Sequence, residues 1–137
     1  MASVVNLEVL KTCRAGIYPH ERLAALSRKL LLRYFEPAHG TQDSWQVKPA
    51  LRQRVTLKRL NLMDEFCFEE YFEFIFCRNV LIYFDAETQA KVVAHLVANL
   101  ARKGYLFVGH AEPLLHTQTV LQAIGDSVYR KTGNDAQ

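Results

Sequence analysis

The stretch Phe74-Ile75-Phe76-Cys77-Arg78-Asn79-Val80-Leu81-Ile82-Tyr83-Phe84-Asp85 constrains this chain more than any other. Four apolar residues run unbroken, an Arg-Asn pair interrupts, and five more apolar residues follow. A run apolar on both faces is what a parallel strand buried between helix layers requires. Arg and Asn set between such runs are costly to bury unless something pairs with them. Ligands of open α/β sheets lie beyond the carboxyl ends of the strands. Arg78 and Asn79 are therefore expected to mark a ligand site at a strand end.

The rest of the chain supplies the elements around that strand. Ser3-Val4-Val5 resembles the end of a strand. Leu7 to Ala15 predicts a short helix with Leu7, Leu10 and Val9 inward, stopped by Gly16. Pro19 opens a second short helix with Leu23 and Leu26 on one face. Ser27 caps a third over Arg28 to Phe35, which Pro37 closes. A polar loop over Ala38 to Ser44 precedes a small strand at Trp45-Gln46-Val47. The alternation around Val55 and Leu57 predicts a strand over Arg54 to Leu60, ending in Asn61-Leu62-Met63-Asp64. Asp85 caps a strong helix whose apolar stripe is Val92, Val93, Leu96, Val97 and Leu100, with Lys103-Gly104 as its stop. Tyr105 to Val108 is the next buried strand. Val120 to Ile124 and Ser127 to Lys131, joined at Gly125-Asp126, are expected to pair as a hairpin. The pattern is that of an α/β sheet with a parallel centre, and no second-domain boundary is visible.

Composition narrows the function. At 137 residues the chain is expected to be one domain with a real core. A net charge of +3, evenly spread, is too weak to argue for nucleic acid and leaves an acidic partner open. No apolar run approaches a membrane span, and the start lacks a signal-peptide pattern, so the expected location is cytoplasmic and not membrane-inserted. Cys13, Cys67 and Cys77 are widely spaced with no CxxC, which predicts buried free thiols and no metal site. The five histidines form no metal-binding spacing.

Phe76-Cys77-Arg78-Asn79-Val80-Leu81-Ile82-Tyr83-Phe84-Asp85, a helix, and then Gly104-Tyr105-Leu106-Phe107-Val108-Gly109-His110-Ala111-Glu112 resemble the chemotaxis receptor methyltransferases of the CheR type. Ala15-Gly16-Ile17-Tyr18, Arg33-Tyr34-Phe35, Val47-Lys48-Pro49, Asn61-Leu62 with Asp64, and Val128-Tyr129-Arg130 stand in the same order as in that family. The resemblance implies methyl transfer from S-adenosylmethionine (SAM) to glutamate side chains on the cytoplasmic helices of chemoreceptors or a related signalling protein. It implies a Rossmann-like sheet, mostly parallel, with a C-terminal antiparallel hairpin. It implies that Asn61, Leu62, Arg78 and Asn79 line the cofactor pocket and that Tyr83 lies near the transferred methyl. Arg78 and Tyr83 are thereby the expected catalytic residues. The segment at 36–49 corresponds to a short β insertion that can help dock the receptor.

Each of these residues also has a plainer reading. Arg78 can pair with Asp64 or Glu112, Asn61 can close a turn, and Tyr83 can be a core tyrosine. His110 reads as structural, and Arg28, Lys29 and Arg33 as a solvated helix face. The chain also departs from the family pattern. No Gly-rich turn precedes Val4, and Val4 stands where the family has an acidic residue for the ribose hydroxyls, with Asn6 as a partial substitute. The expectation is a partial catalytic domain over 1–137, truncated at its N-terminus, with a sheet lacking its first strand. Two functions follow: a SAM-dependent protein-glutamate methyltransferase, or a non-catalytic methyltransferase-like module that binds a receptor or signalling partner.

Overall fold

A computed structural model of the chain describes residues 2–4, 6–40, 43–110, 114 and 120–133. The chain divides into two compact units, Met1–Asn61 and Leu62–Gln137. Among the described residues the strands form three separate sheets, where the sequence suggested one. Each unit mixes helices and strands, so the chain is α/β. No described helix is long and apolar enough to cross a membrane.

In the first unit, β1 (Ala2–Val4) runs parallel to β5 (Leu57–Arg59). Helix α1 (Leu7–Ala15) begins where the Asn6 side chain accepts from the amides of Glu8 and Val9. It ends at Gly16, whose left-handed φ of 63° lets its amide donate to the Thr12 carbonyl. Only Leu10 of this helix is buried; Leu7 and Val9, expected inward, are exposed. Three antiparallel strands form the second sheet, with β4 (Ser44–Val47) between β2 (Ile17–Pro19) and β3 (Phe35–Pro37). The sequence pattern at β2 and β3 reveals neither strand, because each is three residues long and ends in proline. A 3₁₀ turn (His20–Leu23) and α2 (Arg28–Tyr34), capped by Ser27, lie between β2 and β3, and α3 (Pro49–Arg52) follows β4. Lys48 Nζ, just after β4, donates to the Leu32 carbonyl of α2, and Arg52 of α3 donates to the Arg14 carbonyl of α1.

The second unit is built on β6 (Phe72–Cys77), α4 (Ala86–Ala98) and β7 (Leu100–Val108). β6 and β7 are parallel, with Phe74 opposite Tyr105 and Cys77 opposite Val108, and α4 is their crossover. The predicted hairpin is present: β8 (Leu121–Gly125) and β9 (Val128–Lys131) are antiparallel, with β9 beside β7. The sheet order is β6-β7-β9-β8. Val92, Val93 and Leu96 of α4 pack on Cys77, Leu106, Val108, Leu121 and Tyr129. Burying each such side chain contributes roughly 1.5–3 kcal/mol. Lys131 Nζ, from β9, donates to the carbonyls of Val97 and Leu100 at 2.9 and 2.8 Å, satisfying the end of α4.

Lys103-Gly104 does not stop the helix. Asn99 ends it, and both residues lie within β7. Lys103 takes a left-handed φ of 60°, and a Cβ at Gly104 would meet the Ala101 carbonyl oxygen at 2.9 Å and that of Glu73 at 3.1 Å. The glycine therefore serves close strand packing. Cys77 is buried as expected, but Cys13 is half-buried and Cys67 exposed. Gly104→Ala should lower stability by roughly 1–3 kcal/mol in urea unfolding, because backbone atoms must give way.

The α4 cap has a pH signature. Hydrogen bonding from Thr88 holds the Asp85 carboxyl below its ordinary pKa, with the amide contact at 2.8 Å. A depressed folded pKa gives stability that is present above the unfolded value, near pH 4, and lost as pH falls through the folded value. Asp85→Asn retains a capping oxygen without the titration. Thermal melts at a series of pH values should show a flatter acid limb for Asp85→Asn than for the parent chain.

Candidate functional site

β6 ends at Cys77, whose side chain enters the α4 core, and Arg78 and Asn79 follow at its carboxyl end. Asn79 adopts a left-handed φ of 58°, a conformation asparagine tolerates better than most residues. That residue turns the chain out of the sheet. The five apolar residues after it therefore do not continue a strand. Leu81–Tyr83 form a 3₁₀ turn with Leu81 fully buried and Ile82 and Tyr83 facing solvent. Gln89 of α4 fixes this turn, its amide donating to the carbonyls of Leu81 and Phe84 at 2.9 and 3.2 Å. Gln89 is a positioning residue that periodicity alone does not reveal.

Tyr83 is 79% exposed, which removes the core-tyrosine reading. Arg78 is exposed and makes no ion pair with Asp64; the ion pairs among the described residues are Lys11–Glu8 and Lys91–Glu87. Its other expected partner, Glu112, lies outside the described residues. Arg78, Asn79 and Tyr83 thus share one short segment at the end of a parallel strand, with the guanidinium and phenol directed to solvent. A planar cationic fork and a phenol hydroxyl can bind and orient a carboxylate-bearing ligand.

Leu62 belongs to the same unit. It packs against the α4 core, and its carbonyl lies 3.4 Å from His95 Nδ1. Asn61 is exposed and ends the first unit. The link from Leu62 to β6 is held by Asn99. Its side chain donates to the carbonyls of Phe66 and His95 at 3.1 and 2.9 Å and accepts from the Phe68 amide at 3.1 Å. Its own carbonyl accepts from the Phe72 amide at 2.9 Å. A buried Asn at a helix end is the sequence signal for such a hub, visible only once the helix is known to stop there.

Other polar groups have local roles. His110 Nδ1 lies 3.0 Å from Ser127 Oγ, a structural contact. Asn6, the substitute for a ribose-binding acid, commits its side-chain oxygen to capping α1. Arg28, Lys29 and Arg33 are exposed on α2, and Arg33 lies over the Tyr34 ring. The first unit holds an open cleft of about 750 Å³ lined by Cys13, Tyr18, Leu51, Arg52 and Leu57 among others, and none of the expected site residues borders it. Burial and the neighbouring Cys13 raise the Tyr18 pKa there. Among the described residues, no cluster of His, Cys, Asp or Glu could hold a metal.

Residues 1–130 match the family model described as CheR methyltransferase, SAM binding domain. The chain belongs to the CheR methyltransferase family. It is 37% identical over 132 residues to a chemotaxis protein methyltransferase of Borreliella burgdorferi, covering 96% of this chain and 46% of that protein. It is 35% identical over 131 residues to chemotaxis protein methyltransferase 2 of Pseudomonas aeruginosa, covering 94% and 47%. Against a chemotaxis protein methyltransferase of Escherichia coli the identity is 38% over 130 residues, covering 93% and 46%. The chain spans about half the length of the curated relatives it matches. CheR membership bears out the resemblance carried by the Arg78-Asn79 and Gly104 motifs.

The Asn99 hub can be tested directly. Asn99→Ala removes three side-chain hydrogen bonds and strands buried partners. It should cost about 2–4 kcal/mol in urea unfolding. Local hydrogen exchange should rise first in residues 66–72.

Proposed function

We propose that the chain takes part in SAM-dependent methylation of glutamate side chains on the cytoplasmic helices of a chemoreceptor. The observation that carries this reading is Arg78-Asn79 and Tyr83 at the carboxyl end of parallel strand β6, in a chain whose residues 1–130 match a SAM-binding methyltransferase domain. The parallel pairs β1–β5 and β6–β7 and the β8–β9 hairpin support the finer, Rossmann-like form of the fold.

The residues fit a cofactor with a carboxylate and an apolar body on one side. Exposed Arg78 offers its fork to a carboxylate, on the cofactor or the acceptor, and Asn79 and Leu62 contribute to the pocket wall. By the family resemblance, Asn61 carries an amide of the kind that suits an adenine edge. When bound, SAM would supply an electrophilic methyl on a sulfonium, transferable to an ionised glutamate oxygen with the neutral thioether as leaving group. Tyr83 orients the acceptor through its hydroxyl, and Gln89 holds the turn that carries it. Positioning supplies most of the rate, so no side chain needs to act as nucleophile. The net charge of +3 favours an acidic receptor helix. Cytoplasmic action follows from that substrate.

The high exposure of Tyr83 supports the second reading, a methyltransferase-like module that binds a receptor or signalling partner without catalysis. Calorimetry with SAM separates the two. The enzyme reading expects micromolar binding that weakens at least tenfold in Arg78→Ala. Tyr83→Phe should retain that binding while methyl transfer to receptor glutamates falls by roughly 10²-fold. Folded chain that binds no SAM eliminates the enzyme reading for these 137 residues.

A further inference from the structure

The contact between His110 and Ser127 commits one nitrogen of the imidazole ring and leaves the other. Ser127 lies just before β9 and is 9% exposed. Its carbonyl accepts from the Val108 amide at 3.0 Å, which locks its backbone to the end of β7. Its hydroxyl lies 3.0 Å from His110 Nδ1. A buried hydroxyl proton needs an acceptor, and among the described residues Nδ1 is the one that Ser127 Oγ meets. Asp126, next in the chain, is exposed and makes no hydrogen bond to Ser127. The Ser127 hydroxyl therefore donates to Nδ1, which assigns the ring proton to Nε2. His110 itself is exposed, and its Nε2 has no partner among the described residues. An imidazole fixed through one nitrogen, with its other N–H uncommitted, is a prepared hydrogen-bond donor.

The ring stands at a telling place in the sheet. β6 and β7 are parallel with Cys77 opposite Val108, so their carboxyl ends lie side by side. Arg78 and Asn79 follow Cys77 directly, and His110 follows Val108 by two residues. Ligands of parallel sheets bind beyond such ends. Arg78 brings a planar cation to one strand end and His110 a neutral donor to the next. A group made of acceptor oxygens suits both, and a carboxylate offers one oxygen to each.

We infer that His110 binds the side-chain carboxylate of the acceptor glutamate through Nε2–H, beside Arg78, and that Ser127 is the positioning residue that sets its tautomer. This rests on the proposed methylation of glutamate. Nε2–H holds one carboxylate oxygen and leaves the other free to take the methyl. No proton has to move, because the acceptor is an anion before transfer and a neutral ester after it. The carboxylate loses charge as it is methylated, so this hydrogen bond is stronger to the acceptor than to the ester. It therefore serves acceptor binding more than turnover.

The test is nitrogen NMR of the His110 ring in the full 137-residue chain at about pH 8, above the ordinary titration range of imidazole. The Nε2–H tautomer is expected, and an Nδ1–H tautomer overturns the inference. The chain is then titrated with N-acetylglutamate amide and with its glutamine counterpart, each with and without SAM. Saturable ring shifts are expected with the glutamate probe and not with the glutamine probe. A ring silent to glutamate under both conditions overturns the inference, as does an equal response to the two probes. Two variants, their folds checked by thermal melts, separate binding from a purely structural contact. His110→Gln keeps a donor near the Nε2 position, and His110→Asn keeps a polar atom near Nδ1 alone. Glutamate affinity, read from the amides of Arg78 and Asn79, should stay within about twofold of the parent in His110→Gln and weaken about fivefold in His110→Asn. The reverse order marks the Ser127 contact as structural only and overturns the inference. SAM calorimetry keeps the two readings apart. A ring that responds to glutamate in a chain that binds no SAM sinks the proposed activity alone, whereas SAM binding with a silent ring sinks the His110 contact alone.

Discussion

The apolar contact between α4 and one face of the β6–β7 pair supports everything else in the second unit. Val92, Val93 and Leu96 are buried against Leu106, Val108 and Tyr129, and Leu81 is buried in the same cluster. A parallel strand pair needs a crossover, and a crossover helix needs an apolar stripe to stay in place. The polar contacts then refine the position. Asp85 starts the helix, Asn99 ends it, and Lys131 reaches from β9 to satisfy its last carbonyls. Each of these groups acts where backbone donors or acceptors would otherwise be unpaired.

The candidate site inherits its geometry from that contact. Cys77 and Leu81 are anchored in the core on either side of Arg78-Asn79. With both ends fixed, the intervening residues have to turn outward, and the left-handed Asn79 makes the turn possible. Gln89 then ties the following 3₁₀ turn to α4, so Tyr83 is carried on a braced segment even though its ring is in solvent. Positioning of this kind is what the proposed in-line methyl transfer would need, since such a reaction draws on geometry more than on covalent chemistry.

Much of this was legible in the sequence where one signal dominates. Helices α1 and α4 announce themselves through caps and spacing, the hairpin through Gly125-Asp126, and the chain's exit from β6 through two polar residues between apolar runs. The failures have physical causes. β2 and β3 are too short to show alternation and exist through pairing with β4. Lys103-Gly104 mimics a helix stop but meets a steric demand between strands, which only the packed neighbours reveal. Val80 to Phe84 is apolar enough for a strand, yet after the Asn79 turn Leu81 enters the core while Ile82 and Tyr83 face solvent.

One six-residue strand therefore carries two demands at once. Along β6, Ile75 and Cys77 face the α4 core while Phe74 and Phe76 point to the opposite side, as the period of two requires. A strand meant for a solvated face would place polar residues at Phe74 and Phe76. Aromatic residues there are consistent with a sheet whose second face is also interior. The same strand ends in Arg78-Asn79, so whatever covers the aromatic face also limits how far the strand end can move.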